Sequence, residues 1–242
     1  MVLDPDLLLR AYAIGVFPMS DSREAADVYW VEPRRRAILP LDSFHLSRSL
    51  RKTIRSDEFQ VTRDHAFAEV VRQCATRDDT WINAEIEASY ERLHADGHAH
   101  SIEVWADDTL VGGLYGVRLG AAFFGESMFS RRPDASKVAL AWLVARLKVG
   151  GFTLLDCQFM TPHLKSLGAI EIDQQDYLAL LDSAVGDAVG GGAAAVAAGS
   201  GSAVAAEFEA LDRLLGERAA VPDETGSPPP GWVISQLLGQ TS

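Results

Sequence analysis

The spacing of the apolar residues changes along residues 101–159, and this change constrains the fold more than any other feature. Alternation of apolar and polar residues is typical of half-buried strands, whereas spacings of three and four are typical of helices. The pattern predicts strands at 101–105, 110–119, 121–129 and 152–159 and a helix at 137–149. An antiparallel meander followed by a helix and another strand predicts an α+β (mixed α/β) domain, in which helices pack on a mixed sheet.

The rest of the sequence divides the chain into four parts. A short helical segment, a Phe-Pro turn and a brief aromatic strand open the chain, and the composition shifts to Gly, Ala and Ser after Leu181. An uncharged run of small residues is typical of a flexible linker and is too poor in large apolar residues for a membrane span. We predict a small N-terminal subdomain at 1–44, the main domain at 45–182, a linker at 183–206 and a tail with a short helix at 207–242.

Net charge limits the partners of the chain. Its 242 residues include 34 acidic and 22 basic residues, which give a formal net charge of -12. Such a surface repels nucleic acids and anionic membranes, so any RNA binding must be local, and neither DNA nor a membrane is expected as a partner. The two cysteines, Cys74 and Cys157, form no CxxC pair, and the N-terminus lacks a secretory pattern, so we expect a cytoplasmic location.

One segment has the opposite charge. Residues 34–55 contain seven basic residues against one acidic residue, Asp42. Ser47 is suited to cap a helix whose basic side chains recur at spacings of three and four, which places four cations on one face. These cations are Arg48, Arg51, Lys52 and Arg55. They form either a solvated helix face or a phosphate-binding patch, and the contrast with the overall charge favours the patch.

Polar side chains interrupt two of the apolar strands. Alternation places Asp156 and Gln158 on one face of the last strand and Cys157 on the other, in the core. Because buried polar groups need partners, the pair indicates either a reactive site or a structural tie to a helix. Glu126 is a lone carboxylate in the strand at 121–129 and needs a cation, which a bound ammonium group or an internal side chain such as Lys137 would supply.

Three other kinds of chemistry lack support in the sequence. The histidines at 94, 98 and 100 are candidate metal ligands, but Gly97 breaks the helical register that such ligands need, so no metal site is expected. No GxSxG motif of a serine hydrolase is present. A CoA-dependent N-acetyltransferase needs a glycine-rich turn at a helix N-terminus, and the corresponding turn at 131–136 contains no glycine.

Nine short blocks carry a joint signal, although no single block is specific. They are Phe17-Pro18-Met19, 40–49 (PLDSFHLSRS), Thr80-Trp81-Ile82, 97–105 (GHAHSIEVW), 112–116 (GGLYG), 125–130 (GESMFS), Ala135-Ser136-Lys137, 156–158 (DCQ) and 166–169 (SLGA). In this order they resemble the leucyl/phenylalanyl-tRNA protein transferase family. The resemblance implies a fold similar to that of the acetyltransferases (GNAT-like), without CoA or another cofactor. It also implies transfer of Leu or Phe from aminoacyl-tRNA to proteins that begin with Arg or Lys, which marks them for degradation.

The resemblance also implies roles for particular residues. Asp156 and Gln158 orient and help to deprotonate the attacking amine, and Glu126 steers the aminoacyl adenosine end. Trp30 and Trp81 are candidates for stacking the terminal adenine, with core packing as the alternative. The matching positions of an apolar pocket for Leu or Phe are Leu114, Phe123, Met128 and Leu155. The cationic helix would hold the acceptor stem of the tRNA.

Some positions depart from the pattern of the family. Family members often have a second aromatic residue where Val31 stands, an asparagine where Thr161 stands, and arginine where Gln174 and Gln175 lie. In the family pattern, the position of Val31 belongs to the surface that stacks adenine, and the position of Thr161 makes one hydrogen bond of the active site. The positions of Gln174 and Gln175 would contact a phosphate. Two other functions stay open: a non-catalytic RNA-binding or adaptor protein on the same fold and, with less support, a CoA-dependent N-acetyltransferase.

Overall fold

A mixed sheet organises the chain, of which the computed structural model describes residues 2–77, 79–186, 206–220 and 230–239. The strands within these ranges are β1 (Phe17–Met19), β2 (Tyr29–Val31), β3 (Arg35–Ile38), β4 (Gln60–Arg63), β5 (Ala99–Ala106), β6 (Thr109–Leu119), β7 (Ala122–Ser130), β8 (Leu154–Gln158) and β9 (Ile170–Asp173). β1 pairs with β2, and the other strands form one sheet in the order β4-β5-β6-β7-β8-β3-β9. Neighbouring strands of this sheet are antiparallel except β7 and β8, which are parallel. The predicted α+β class is confirmed.

Helices cover both faces of the large sheet. They are α1 (Pro5–Ala13), α2 (Arg48–Arg55), α3 (Phe67–Cys74), α4 (Ala84–Ala95), α5 (Ala135–Val149), α6 (Pro162–Ser166), α7 (Gln174–Val185), α8 (Ala210–Ala220) and α9 (Pro230–Leu237). Buried residues of α1, α3, α4 and α7 form the core on one face, and those of α2, α5, α8 and α9 form the core on the other. The result is a three-layer arrangement of helices, sheet and helices.

The elements with strong periodicity agree with the sequence prediction. β5, β6 and β7 form the meander, and α5 follows them. α5 is buried on nearly all sides, because the sheet lies on one side of it and α2, α8 and α9 lie on the other. α4 covers the predicted residues 84–95 and is capped by Asn83, whose side chain accepts a hydrogen bond from the Ile86 N–H at 2.9 Å.

Two of the predicted domain boundaries differ from the arrangement of strands and helices in the structure. β3 belongs to the seven-stranded sheet, although the predicted boundary at residue 44 assigns it to the N-terminal part. α7 continues to Val185 and therefore into the predicted linker at 183–206. The rest of that linker lies outside the described residues up to Ala206, as does part of the predicted tail.

The tail returns to the sheet through two side chains near the start of α8. Phe208 is fully buried and stacks on Phe123 of β7, with 5.5 Å between the ring centroids. Asp212 forms ion pairs with Arg146 of α5 at 2.5 Å and with Arg63 of β4 at 2.9 Å. The described residues at the start of α8 therefore pack against the folded domain, and Phe123 is their contact on the sheet.

Neither a spanning helix nor a cluster of metal ligands occurs in the parts of the chain that the structure describes. Every helix there is too short or too polar to cross a membrane. No group of three or more His, Cys, Asp or Glu side chains there could hold a metal ion. His100 Nδ1 lies 2.8 Å from an Asp64 carboxylate oxygen, and His94 stacks on Phe67.

Candidate active site

A cavity of about 440 Å³ opens between the carboxyl ends of β7 and β8. These parallel strands pair only as far as Phe124 and Asp156. Beyond that point β7 pairs with β6 and β8 pairs with β3, so the sheet is open where the cavity lies. Sheets of this kind bind ligands in crevices at the carboxyl ends of their parallel strands. Side chains from β6, β7, β8, α5, α6 and the segment before α4 form the wall.

Glu126 reaches the cavity because β7 contains a bulge. Residues 125 and 127 pair with consecutive residues of β6, Gly116 and Tyr115, and leave Glu126 without a partner. A bulge re-aims the side chain of the extra residue, and bulges are common beside active sites. Gly116 is needed opposite the bulge, since a Cβ there would collide with the backbone of Phe124.

Three uncharged groups hold the Glu126 carboxylate by hydrogen bonds. Its Oε1 accepts from the Tyr12 hydroxyl at 2.7 Å and from Gln158 Nε2 at 3.0 Å, and its Oε2 accepts from the Tyr90 hydroxyl at 2.9 Å. Burial raises the pKa of Glu126 to about 7; the three hydrogen bonds oppose this rise, and the charge of Asp156 adds to it. A carboxyl group with such a pKa can bind and release a proton at cellular pH.

Glu126 forms no ion pair with any described residue, so the internal cation considered from the sequence is not its partner. Lys137 Nζ instead lies 2.7 Å from Asp134 Oδ1. Burial and the charge of Glu126 raise the pKa values of Tyr12 and Tyr90 well above that of an ordinary tyrosine, so both hydroxyls stay protonated. The second alternative, a bound ammonium group, would supply the missing positive charge.

Asp156 does not belong to the cavity wall, and its carboxylate is fully buried. Leu155 and Cys157 line the cavity, so the side chain between them points to the other side of β8. Gln158 has a φ of 61° and lines the cavity, where its amide bonds to Glu126. The Gln158 N–H donates to Asp156 Oδ1 at 2.7 Å, which stabilises this left-handed backbone.

Arg36 accounts for the burial of Asp156, whose exposed fraction is 0%. The guanidinium donates to the Asp156 carboxylate at 2.5 to 3.0 Å, and the Tyr177 hydroxyl donates to it at 2.8 Å. The Arg36 guanidinium also lies over the rings of Phe17 and Tyr177, at 4.7 and 4.5 Å from their centroids. Asp156 therefore joins β8 to β3 and α7, and it acts on the cavity through the backbone of Gln158.

Three of the four predicted pocket residues lie in the cavity wall. Leu114, Met128 and Leu155 line it together with two leucines of α5. Phe123 does not, because its ring is buried against the tail. Cys157 lines the cavity as well, although alternation placed it in the core. Burial raises the pKa of the Cys157 thiol and the charge of Asp156 adds to this, so the thiol is a poor nucleophile at cellular pH.

The two tryptophans proposed for adenine stacking lie in different places. Trp81 lies in the cavity wall, whereas Trp30 is 40% exposed on β2, so core packing does not explain Trp30. The hairpin of β1 and β2 adjoins the cavity, because Phe17 packs edge-on against Phe159 of the wall and the Ser20 N–H donates to the Trp81 carbonyl at 3.2 Å.

The positions that depart from the family pattern have separate environments. Thr161 lines the cavity and caps α6 through its side-chain oxygen. Val31 packs against the core below β2. Gln174 donates a hydrogen bond to Glu32, and Gln175 is exposed. Of these positions, Thr161 is the one that contacts the cavity.

The predicted cationic helix forms as α2. Ser47 caps it by accepting a hydrogen bond from the Leu50 N–H at 3.2 Å. Its four basic side chains are exposed, form no ion pair with the described residues and line a shallow groove; they are Arg48, Arg51, Lys52 and Arg55. Arg35 and Arg36 of the same basic segment are instead paired with carboxylates of β9 and β8. The patch is therefore smaller than the sequence suggests.

Sequence reasoning missed the side chains that hold the site together. Tyr12 and Tyr90 lie on the apolar stripes of α1 and α4, so their burial was predictable, but the direction of their hydroxyls was not. Arg36 stands in a run of three arginines, and its buried role follows only from its position on β3 beside β8. Tyr177 comes from α7, which carried no motif.

Comparison with known proteins assigns the chain to a family. The model of the leucyl/phenylalanyl-tRNA protein transferase family matches residues 38–182, and the model of its N-terminal domain matches residues 1–34. A leucyl/phenylalanyl-tRNA-protein transferase from Rhizorhabdus wittichii is 64% identical over 247 residues, which cover 99% of each chain. One from Zymomonas mobilis is 66% identical over 188 residues, which cover 76% of this chain and 70% of the relative. The crystal structure of FemX is 14% identical in sequence and superposes with a TM-score of 0.47. The match covers 69% of this chain and 66% of that one.

These matches define the class of protein as a transferase that uses aminoacyl-tRNA. The chain belongs to the leucyl/phenylalanyl-tRNA protein transferase family, and the resemblance carried by the nine sequence blocks is confirmed.

Proposed function

We propose that this chain transfers Leu or Phe from aminoacyl-tRNA to the N-terminal α-amino group of proteins that begin with Arg or Lys, and that it does so in the cytoplasm. The products are thereby marked for degradation as N-degrons. The observation that carries the proposal is Glu126, a carboxylate with a pKa of about 7 in a cavity whose wall is otherwise mainly apolar. No cofactor is needed, because the ester of an aminoacyl-tRNA is already activated.

The cavity suits the side chain of Leu or Phe. Its leucines and Met128 offer an apolar surface, and methionine adapts to side chains of different shape. Ile and Val branch at Cβ, close to the ester, so we expect them to fit less well. Trp81 in the wall and the exposed Trp30 are the proposed stacking partners of the terminal adenine.

The reaction needs a neutral amine and a group that takes its proton. The pKa of an α-amino group is about 7.7 to 8.0, so a useful fraction of the amine is neutral at cellular pH. Its nitrogen attacks the ester carbonyl, the new C–N bond forms, and the C–O bond to the terminal ribose breaks. Glu126 accepts the proton that the nitrogen loses and returns it to the departing ribose oxygen. Proton transfer of this kind contributes about 10²- to 10⁴-fold to the rate.

Gln158 and Asp156 support this step in different ways. Gln158 lines the cavity and donates to Glu126 Oε1, so it orients the carboxylate beside the reacting groups. Asp156 contacts neither the cavity nor Glu126 and is a positioning residue that acts through Gln158. Alignment of an amine with an ester can contribute up to about 7 to 11 kcal/mol, and this makes a covalent intermediate unnecessary.

The charge distribution supports separate sites for the two substrates. A net charge of -12 favours the approach of a cationic acceptor terminus, such as one that begins with Arg or Lys. The tRNA would meet this protein at the exposed cations of α2, which we assign to the acceptor stem. Contact with phosphates at this helix would offset the repulsion from the rest of the surface.

A transfer assay with two matched peptides tests the proposal. Labelled Leu-tRNA or Phe-tRNA should pass its label to a peptide that begins with Arg or Lys and not to the same peptide with an N-terminal Glu. Equal transfer to both peptides would refute the acceptor specificity. Label that stays on the tRNA under all conditions would favour the RNA-binding adaptor, and transfer from acetyl-CoA would favour the N-acetyltransferase.

Loss of single cations on α2 should weaken tRNA binding in a salt-dependent manner. Arg51→Ala and Arg55→Ala each remove one phosphate contact, so the slope of log affinity against log salt should flatten by about one for each variant. Arg92→Ala is the matched control, because Arg92 is an exposed cation of α4 that pairs with Asp96. Titrations of tRNA at several salt concentrations measure the slopes. Unchanged slopes in both α2 variants would exclude this helix from the tRNA site.

A further inference from the structure

A second groove, of about 420 Å³, lies between α2 and the last helix of the tail, α9. Two arginines of α2 form one side of it, and uncharged residues of the tail form the other. The lining residues are Arg51, Arg55, Trp232, Ser235, Gln236 and Gly239. This groove therefore shares its cations with the patch on α2 but adds an aromatic side chain.

α9 presents two different faces. Ile234 and Leu238 belong to the core beside α5. Trp232, Ser235 and Gln236 recur at spacings of three and four, so they lie on one face of the helix, and this face lines the groove. Trp232 is half-buried and belongs to neither core cluster. Core packing therefore does not account for an aromatic residue at this position.

Close packing fixes α9 against α2. Gly231 lies on the carbonyl oxygen of Ile54, where a Cβ would collide with the backbone. The Gly231 N–H donates to Asp57 Oδ1 at 2.9 Å, just beyond the end of α2. Close backbone packing and this hydrogen bond thus set the position of Trp232 relative to the two arginines.

The charges around the groove favour an anionic ligand. Residues 230–239 contain no charged side chain, and Arg51 and Arg55 form no ion pair with the described residues. The carboxylate of Asp57, beyond the end of α2, does not line the groove and accepts the hydrogen bond from the Gly231 N–H. Two free guanidinium groups suit a phosphate, and an adjacent tryptophan face suits a nucleobase.

We infer that the groove binds an unpaired nucleotide of the tRNA, with its phosphate on Arg51 and Arg55 and its base stacked on Trp232. A paired nucleotide would not use Trp232, because its base is already stacked within the duplex. This inference rests on the proposed function, because the nucleotide that α9 contacts belongs to the same tRNA that donates the amino acid. It differs from the patch on α2 in requiring contact with a base as well as with phosphates.

Two substitutions of Trp232 test the inference in the full-length protein. Trp232→Ala should weaken tRNA binding by roughly 5- to 150-fold, the range expected for one stacked base, and should leave the salt slope unchanged. Trp232→Phe should restore most of the affinity. Transfer from a phenylalanyl-adenosine donor, which lacks the tRNA body, should be unchanged in both variants. Fluorescence of the wild type minus that of Trp232→Phe should be quenched by tRNA, which reports stacking directly.

Other results would overturn the inference. Unchanged tRNA affinity in Trp232→Ala, or an equal loss with both donors, would show that Trp232 has only a structural role. A raised KM for the acceptor protein with unchanged tRNA affinity would assign the groove to the acceptor instead. Wild-type protein that binds tRNA through Trp232 but transfers no amino acid would refute the proposed function and still support the groove.

Discussion

Glu126→Gln should lower the rate constant of transfer from Phe-tRNA by about 10²- to 10⁴-fold at pH 8, with tRNA affinity unchanged. Glutamine keeps the size of the side chain and can still bond to Tyr12 and Tyr90, but it cannot accept the proton of the amine. In the wild type the rate should rise with pH through about 7, the pKa of Glu126, because the ionised carboxylate is the active form. Single-turnover rates should be measured between about pH 5.5 and 9, a range that brackets the titrations of Glu126 and of the acceptor amine. The variant should lack the rise in rate that the ionisation of Glu126 causes in the wild type.

The same substitution should stabilise the folded protein at high pH. Glu126 has a pKa of about 7 in the folded state against an ordinary value of 4.5, so the native state holds the proton more tightly. Stability then falls as pH rises through this window, and the buried charge costs about 3 kcal/mol above it. Glu126→Gln removes that cost, so its Tm should exceed that of the wild type at pH 8 and not at pH 5.

Glu103→Gln is the matched control for Glu126. Glu103 is also a fully buried carboxylate of the sheet, and it accepts hydrogen bonds from Thr62 and Ser101 away from the cavity. Its substitution should leave the transfer rate and its pH dependence as in the wild type. A Glu126→Gln enzyme with the wild-type rate and pH profile would contradict the role of Glu126 as proton acceptor.

Arg36→Met should lower the free energy of unfolding by about 3 to 5 kcal/mol, because it leaves the charge of Asp156 buried without its cation. For a chain of this size each kcal/mol corresponds to roughly 2 to 4 °C in Tm, so a fall of about 6 to 20 °C is expected. Thermal and urea unfolding at pH 7 measure the effect. The loss of this anchor should also lower the transfer rate of the folded fraction, since Asp156 holds the backbone of Gln158.

Arg35→Met provides a control one residue away. Arg35 pairs with Glu171 and Asp173 at the surface, where such ion pairs contribute about 0 to 1 kcal/mol. The double variant Arg36→Met with Asp156→Leu should recover part of the lost stability, because no buried charge is then unpaired. Equal losses in the free energy of unfolding for the Arg35 and Arg36 substitutions would contradict the description of Asp156 as a buried positioning residue.

The sequence predicted the parts of the fold whose pattern is long and regular. The meander of β5 to β7, α4 and α5 have enough residues for their period to be read. β3, β4 and β9 have four residues each, and their places in the sheet depend on pairing with strands far away in the chain. Local pattern contains little information about such short strands.

Irregular backbone explains the errors at the site. Alternation assumes a regular strand, but β8 is irregular at its end, since Cys157 has no partner on β3 and Gln158 has a positive φ. Glu126 stands out in the sequence as a lone carboxylate in an apolar strand, but its tyrosine partners come from distant helices. Phe123 was misplaced because it contacts the tail, and no local pattern reveals that contact.

A crystal structure with a non-hydrolysable phenylalanyl-adenosine is the most direct test of the central claim that the cavity between β7 and β8 holds the aminoacyl group. The phenyl ring should lie among Leu114, Met128 and Leu155, with the linking carbonyl beside the Glu126 carboxylate. An analogue bound elsewhere while the cavity stays empty, or bound in the cavity with its carbonyl away from Glu126, would contradict the account.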